Sequence, residues 1–308
     1  MGNSIHHVTA IAGPARRNLD FYTDVLGLRL VKKTVNFDDP TTYHLYYGDE
    51  VGTPGTVLTF FPWEHAAPGR LGPGETDEIL LRIPEGSLGF WTHRLLEKGV
   101  NYDPSVKRFG ETLLPFKDPD GMRLAFAAIP GLTPSDMPGT PEVPSEHAIL
   151  GLHGVSLLLE TARPTAAILT DVFGFREIGR EGAFIRYRTG KGVGSTIDLR
   201  EVGGFPRGRS GRGTVHHVAF RAADDREQQA MVAKLVEQHG RHVTEQKDRN
   251  YFRSVYFREP GGVLFEIATD APGFAVDEPA DRLGEDLKLP PGLEEHRGKI
   301  EAVLPALD

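Results

Sequence analysis

The chain has 308 residues, 39% apolar and 25% charged, with a formal net charge of -8, a composition expected of a soluble globular protein with a sizeable buried core. Lys and Arg are dispersed and no apolar run approaches the ~18 residues of a membrane span, so nucleic-acid and membrane partners are not expected. The absence of cysteine excludes disulfides and thiolate ligands and fits a reducing, cytoplasmic location.

The N-terminus, MGNSIHHVTAI, lacks the charged and apolar segments of a secretory signal. Residues 5–12 alternate as a half-buried strand that opens on the pair His6–His7. Alternate side chains of a strand share a face, so His7 is expected to point with Thr9. A helical stretch follows and Gly27 is a plausible stop. Further strands complete a first unit over 5–62, with Phe60, Phe61 and Trp63 as candidate aromatic lining. A second unit spans 77–130, with a helix from Phe90 and a turn at Lys117–Gly121 leading into an apolar strand. The Pro/Gly-rich stretch 130–147 reads as a connector, with a linker at 136–150 dividing an N-terminal half, 1–135, from a C-terminal half, 151–270.

The third unit, 151–202, repeats the first. At an offset of 147, Thr23-Asp24-Val25 aligns with Thr170-Asp171-Val172 and Gly27 with Gly174. The loop bearing Arg207, Arg209 and Arg212 reads as solvated. The fourth unit, 214–269, opens on His216–His217 and repeats the second, so that Arg258–Gly262 matches Lys117–Gly121 at an offset of 141. It ends in the strand VLFEIA, which carries Glu266, and it contains Phe252, a further lining candidate. The tail, 271–308, is expected to hold a helix with Leu293, Ile300 and Val303 against the body. Four βαβββ modules in an α+β chain are the result.

A single strand histidine is ordinarily a hydrogen-bonded structural residue. Two HHV segments opening two repeats are harder to explain that way. Glu266 lies in an otherwise apolar strand, where a carboxylate needs an arginine or a metal as partner. The equivalent position of the second module is Ala125, so module packing does not require the acid. Two imidazoles and one carboxylate make the facial triad of non-haem Fe(II) sites, which leaves positions open for substrate and O2. Mn(II) or another divalent metal uses similar ligands.

With HHVT, HHVAF and EPGGVLFEIA in place, the sequence resembles the vicinal oxygen chelate superfamily, and within it the hydroquinone-type ring-cleaving dioxygenases. The resemblance covers nearly the whole chain. It implies His7, His217 and Glu266 as iron ligands, Arg249 and Tyr256 as active-site residues, and His6, Thr9 and His216 around them. It implies an oxidoreductase of aromatic degradation that cleaves a dihydroxylated ring with O2, its partners a small aromatic substrate and O2, with homo-oligomers compatible. The third module reads LHGV, with Gly154 where His7 stands in the first, so it cannot supply a ligand from that place. Modules 1 and 4 are therefore expected to pair, as are 2 and 3, in two open barrel-like mixed sheets. The second pair carries Gly154, Ala125 and Glu78 at the ligand positions and is expected to be metal-free. A glyoxalase-like metal-dependent isomerase and a non-enzymatic ligand-binding protein are the alternatives on the same scaffold.

Overall fold

The computed structural model describes residues 3–132 and 139–307. The first module holds β1 (Ile5–Ala12), α1 (Ala15–Asp20, continued by a π-helical turn over Phe21–Val25), β2 (Arg29–Asn36), β3 (Asp39–Gly48) and β4 (Val57–Pro62). The second holds β5 (Glu75–Pro84), α2 (Leu88–Glu97), β6 (Val106–Arg108), β7 (Glu111–Lys117) and β8 (Arg123–Ile129). The third holds β9 (Leu152–Leu159), α3 (Arg163–Asp171), β10 (Arg176–Glu181), β11 (Phe184–Arg188) and β12 (Thr196–Glu201). The fourth holds β13 (Thr214–Ala222), α4 (Asp225–Glu237), β14 (Lys247–Asp248), β15 (Phe252–Arg258) and β16 (Leu264–Pro272).

Local chemistry sets the boundaries. Gly27 and Gly174 sit at φ 66° and 72° just past the first and third helices, a backbone state that favours glycine. The N-cap Asp224 accepts from the Glu227 backbone N–H, and Glu227 reaches back to the N–H of Ala223, so two orphan donors at the start of α4 are satisfied.

The strands form two eight-stranded sheets, ordered β14-β15-β16-β13-β1-β4-β3-β2 and β10-β11-β12-β9-β5-β8-β7-β6. Modules 1 and 4 share one sheet and modules 2 and 3 the other, the interleaved pairing anticipated from Gly154. The reason for that glycine is steric: a Cβ there would lie 1.9 Å from the carbonyl oxygen of Thr196. Each sheet is joined at its centre by an antiparallel pair, β1 with β13 and β5 with β9.

One continuous apolar core, containing Tyr22, Trp91, Phe126, Phe173, Phe220 and Leu235, draws on all four modules. Phe60 belongs to it, fully buried beside Tyr22 and Tyr47, and does not line the cavity as expected. Parity along β4 explains the correction, because Phe60 and Phe61 point to opposite faces. The concave face of the first sheet holds a smaller cluster that includes Val57, Ala219, Tyr251 and Phe274.

Residues 133–138 of the expected connector lie outside the described residues; beyond them, Val143 and Ile149 are buried in the core. The tail straps the edge strand β2: Lys32, fully buried, pairs with Asp277 at 2.6 Å and with Glu278, and the Lys288 amide bonds the Lys33 carbonyl at 2.9 Å. It ends in α5 (Arg297–Glu301), where Ile300 and Leu304 are buried but Val303 is 58% exposed. Val303 thus faces water, against expectation, because the turn that closes the helix gives Leu304 the inward place.

Candidate metal centre

The joint between β1 and β13 is irregular in a way that builds the site. Ile5 and His7 face Phe220 and Ala219, so His6 is an extra residue; Thr9 and Ala10 face His217 and Val215, so His216 is another. A bulge bends its strand and re-aims the side chains around it. The consecutive imidazoles consequently meet: His6 Nδ1 lies 2.9 Å from His7 Nδ1, and His216 Nδ1 lies 2.7 Å from His217 Nδ1. An imidazole that donates from Nδ1 keeps the lone pair on Nε2 for another partner. In both strands that Nε2 faces the same spot, with His7 Nε2 and His217 Nε2 separated by 3.4 Å.

Glu266 supplies the third group. It sits on β16 beside Ala219 of β13, fully buried. Its Oε1 accepts a hydrogen bond from Ser254 Oγ on the adjacent β15. Its Oε2 lies 3.5 Å from His7 Nε2 and 2.8 Å from His217 Nε2, yet makes no properly directed hydrogen bond. The 2.8 Å approach to His217 is thus not a hydrogen bond. His7, His217 and Glu266 offer ligand atoms all within 4.8 Å of one another, the only such group of at least three His, Cys, Asp or Glu among the described residues. A buried carboxylate oxygen without a donor, facing two imidazole nitrogens, suits a cation with mixed nitrogen and oxygen preference.

Burial disfavours a second proton on three of the imidazoles. Burial, aided by His7, lowers the His6 pKa to about 3; burial and His217 lower that of His216 to about 3. Burial also lowers that of His217. Burial opposes ionisation of Glu266, but His7 and His217 outweigh it and hold the carboxyl well below its usual range.

A cavity of roughly 300 Å³ opens onto the three groups. Phe61, Trp63 and Phe252 line it, as does His216. Arg249 and Tyr256 also reach it: Arg249 Nε donates to the Tyr256 hydroxyl at 3.2 Å, and its Nη2 donates to Asp38 at 2.8 Å. Burial works against the Arg249 charge, but Tyr256 and Asp38 keep it ionised. Burial and Glu266 raise the Tyr256 pKa, so its hydroxyl stays protonated. His6 lies behind His7, outside the cavity lining, and Thr9 is fully buried, bonded to Thr59 at 2.8 Å. Arg207 and Arg209 are exposed and Arg212 is half-buried; none lines this cavity. Four contributors escaped the sequence reading: Ser254, Asp38, His44 and Tyr46. Only the spacing of Ser254 two residues before Tyr256 on one strand pointed toward any of them.

The second sheet repeats the geometry with different chemistry. Its central joint carries extra residues at Asp77 and His153, matching His216 and His6. Glu78 stands where His217 does, but its carboxylate accepts from Arg108 at 2.9 Å. Arg186 pairs with Asp198 through two bonds of 2.7 and 2.8 Å and also with Glu111, which His153 and Arg188 approach at 3.1 and 2.7 Å. Ion pairs fill the space that the first sheet leaves for a ligand.

The model of the glyoxalase/bleomycin resistance protein/dioxygenase superfamily matches residues 4–126 and 151–267. The chain is 47% identical over 298 residues to "Putative ring-cleaving dioxygenase MhqO" of Bacillus subtilis (strain 168), covering 96% of this chain and 94% of that protein. It is 34% identical over 299 residues to the chlorohydroquinone/hydroquinone 1,2-dioxygenase of Sphingobium indicum, covering 94% and 92%. A crystal structure of a "putative dioxygenase" from Bacillus subtilis superposes with a TM-score of 0.94 at 45% identity, covering 100% of this chain and 98% of that one. Glyoxalase I from Zea mays shares the fold at a TM-score of 0.65 and 13% identity, over 87% of this chain and 92% of that one.

Proposed function

The chain belongs to the glyoxalase/bleomycin resistance protein/dioxygenase superfamily, and from that membership we propose that it is an Fe(II)-dependent ring-cleaving dioxygenase acting on a para-diol of the hydroquinone type. The observation that carries the reading is the unbonded Glu266 Oε2 facing His7 Nε2 and His217 Nε2 in a buried pocket. Two imidazoles and one carboxylate with no thiolate favour Fe(II), and Mn(II) suits the same donors. The name of the Sphingobium relative supports a hydroquinone as substrate.

His7, His217 and Glu266 would hold the metal, which would leave open positions to bind a phenolic oxygen and O2 and would lower the pKa of the phenol. The chain does the rest. His6 and His216 fix the ring orientation and tautomer of the two ligand histidines. Ser254 fixes the Glu266 carboxylate. Phe61, Trp63 and Phe252 bound the cavity with apolar rings and keep water from the reacting centre. His216 Nδ1 takes the hydrogen bond from His217 Nδ1, so its other ring nitrogen carries the hydrogen and donates to a substrate oxygen in the cavity. Arg249 stabilises negative charge that develops on the substrate oxygens. Tyr256 accepts from Arg249 Nε and so keeps its own proton available for an oxygen of the ring-opened product.

Anaerobic reconstitution with Fe(II), followed by oxygen-electrode assays on hydroquinone, its methylated and chlorinated forms and catechol, tests the proposal. Equimolar consumption of O2 and a hydroquinone, absent without iron, is expected. Turnover of any substrate in the Ni(II) or Zn(II) protein without O2 would instead make the chain a glyoxalase-like isomerase.

A further inference from the structure

The cavity has a second wall that the metal chemistry does not use. β3 lies two strands from β1, with β4 between them, and its inward residues His44 and Tyr46 line the cavity. Their polar atoms stand in single file. The Tyr46 hydroxyl is 2.8 Å from His44 Nδ1, His44 Nε2 is 2.8 Å from Thr59 Oγ1, and Thr59 Oγ1 is 2.8 Å from Thr9 Oγ1. Thr59 and Thr9 are fully buried, so the file runs from the cavity into the strand that carries His7. Both nitrogens of His44 are spent in it. Asp39, on the same side, is spent on Thr41, Thr42 and the Trp63 indole. A tyrosine hydroxyl has one proton and two lone pairs. The bond to His44 uses one of the three, and Tyr46 keeps the others at the cavity.

The second sheet shows that the module does not need this arrangement. Register places Asp198 where Thr59 stands, Arg186 where Tyr46 stands and Phe184 where His44 stands. There the same wall is an ion network, with Arg186 bonded to both Asp198 and Glu111. The Tyr–His pair belongs to the sheet with the metal-type triad.

We propose that Tyr46, held in place by His44, is the hydrogen-bond partner of the second ring oxygen of the para-diol, and so the residue that selects dihydroxylated over monohydroxylated rings. The inference rests on the reading of His7, His217 and Glu266 as the anchor of the first oxygen. Para oxygens lie at opposite ends of a ring. One oxygen at the anchor directs the other away from β13 and β16, toward the far wall. Two inter-strand spacings, about 9.6 Å, separate β1 from β3, which gives a benzene ring with an oxygen at each end room between them. Tyr256, paired in register with Glu266, stands beside the anchor with Arg249 and serves the near oxygen. A pocket that hydrogen-bonds a substrate hydroxyl rejects an analogue lacking it, because its own polar group is then left without a partner.

The test is calorimetric titration of the Fe(II)-loaded chain under argon, with hydroquinone and with phenol. Wild type is expected to bind hydroquinone about 10-fold more tightly than phenol. Tyr46→Phe is expected to weaken hydroquinone by about 10-fold and to leave phenol within about 2-fold of wild type, which also reports an intact fold and metal site. Equal weakening of both ligands would mean that Tyr46 only packs the wall, and would overturn the assignment, as would unchanged hydroquinone affinity. Oxygen uptake by aerated wild type reads the reaction class separately. No uptake with discrimination intact removes the dioxygenase reading and upholds Tyr46; uptake without discrimination removes Tyr46 alone.

Discussion

His7 Nε2 and His217 Nε2 lie 3.4 Å apart, although 210 residues separate them in the chain. Glu266 Oε2 completes the cluster at 3.5 and 2.8 Å. Three buried ligand atoms converge there, and a divalent cation would bridge them. An ion that binds the folded chain and not the unfolded one stabilises it by mass action. Chelation followed by dialysis is therefore expected to lower Tm by about 5 °C or more, and Fe(II) or Mn(II) added back to restore it. A Tm indifferent to metal would remove the cluster as a metal centre.

Glu266→Gln replaces an anion by a neutral amide of the same shape. Loss of a direct ligand exceeds the effect of a supporting group, so metal affinity is expected to fall by about 100-fold or more, with turnover falling in step. Metal content per chain after dialysis, measured beside oxygen uptake, checks both. Full iron occupancy with wild-type turnover would defeat the assignment.

The bulge at His216 makes a finer prediction. His216→Asn keeps a polar group but shortens the reach to His217 Nδ1, so the ligand imidazole loses its 2.7 Å partner. A weakening of metal binding by about 10- to 100-fold is expected, with the fold intact by circular dichroism. Unaltered affinity would make His216 a cavity residue only.

The repeats, the HHV pairs and the lone strand carboxylate are local patterns, and together with the family resemblance they pointed to His7, His217 and Glu266 and to the pairing of modules. What escaped depends on register. Strict alternation puts His6 and His7 on opposite faces, and only the extra residue opposite Phe220 and Ala219 brings their Nδ1 atoms together. The same dependence misplaced Phe60, since nothing in Phe60-Phe61 tells which ring faces inward. Ser254, His44 and Tyr46 are single residues in strands of ordinary composition. Their importance comes from what lies across the sheet, and their repeat counterparts are chemically unrelated.

Glu75, the first residue of β5, is packed beneath Gly208, and burial raises its pKa from 4.5 to about 7 despite the opposing influence of Arg258. The folded state then binds more protons than the unfolded state between these values. This contribution to stability is full below pH 4.5 and is lost as pH rises through about 7. Glu75→Gln removes the dependence. A Tm gain of about 1–2 °C at pH 8 and none at pH 4 is expected, modest because the side chain is partly solvated. A gain of equal size at both pH values would show that charge is not the cause.

Arg249 and Asp38 span the open side of the first sheet, Asp38 following the edge strand β2 and Arg249 following the edge strand β14. The two members contribute unequally. Asp38 is 63% exposed at its side chain, so water screens the pair, and Asp38→Asn is expected to change kcat/KM by no more than about 3-fold. Arg249 is 17% exposed and reaches both the cavity and Tyr256. In a site sheltered from water a charge aimed at a developing anion acts with little screening, and removing one such donor lowers kcat by about 100-fold or more. Arg249→Met, with the stem retained, should show that loss at full metal occupancy. Equal effects of Asp38→Asn and Arg249→Met would mean that the ion pair acts by closing the open side of the sheet, and that the guanidinium has no direct part in the chemistry.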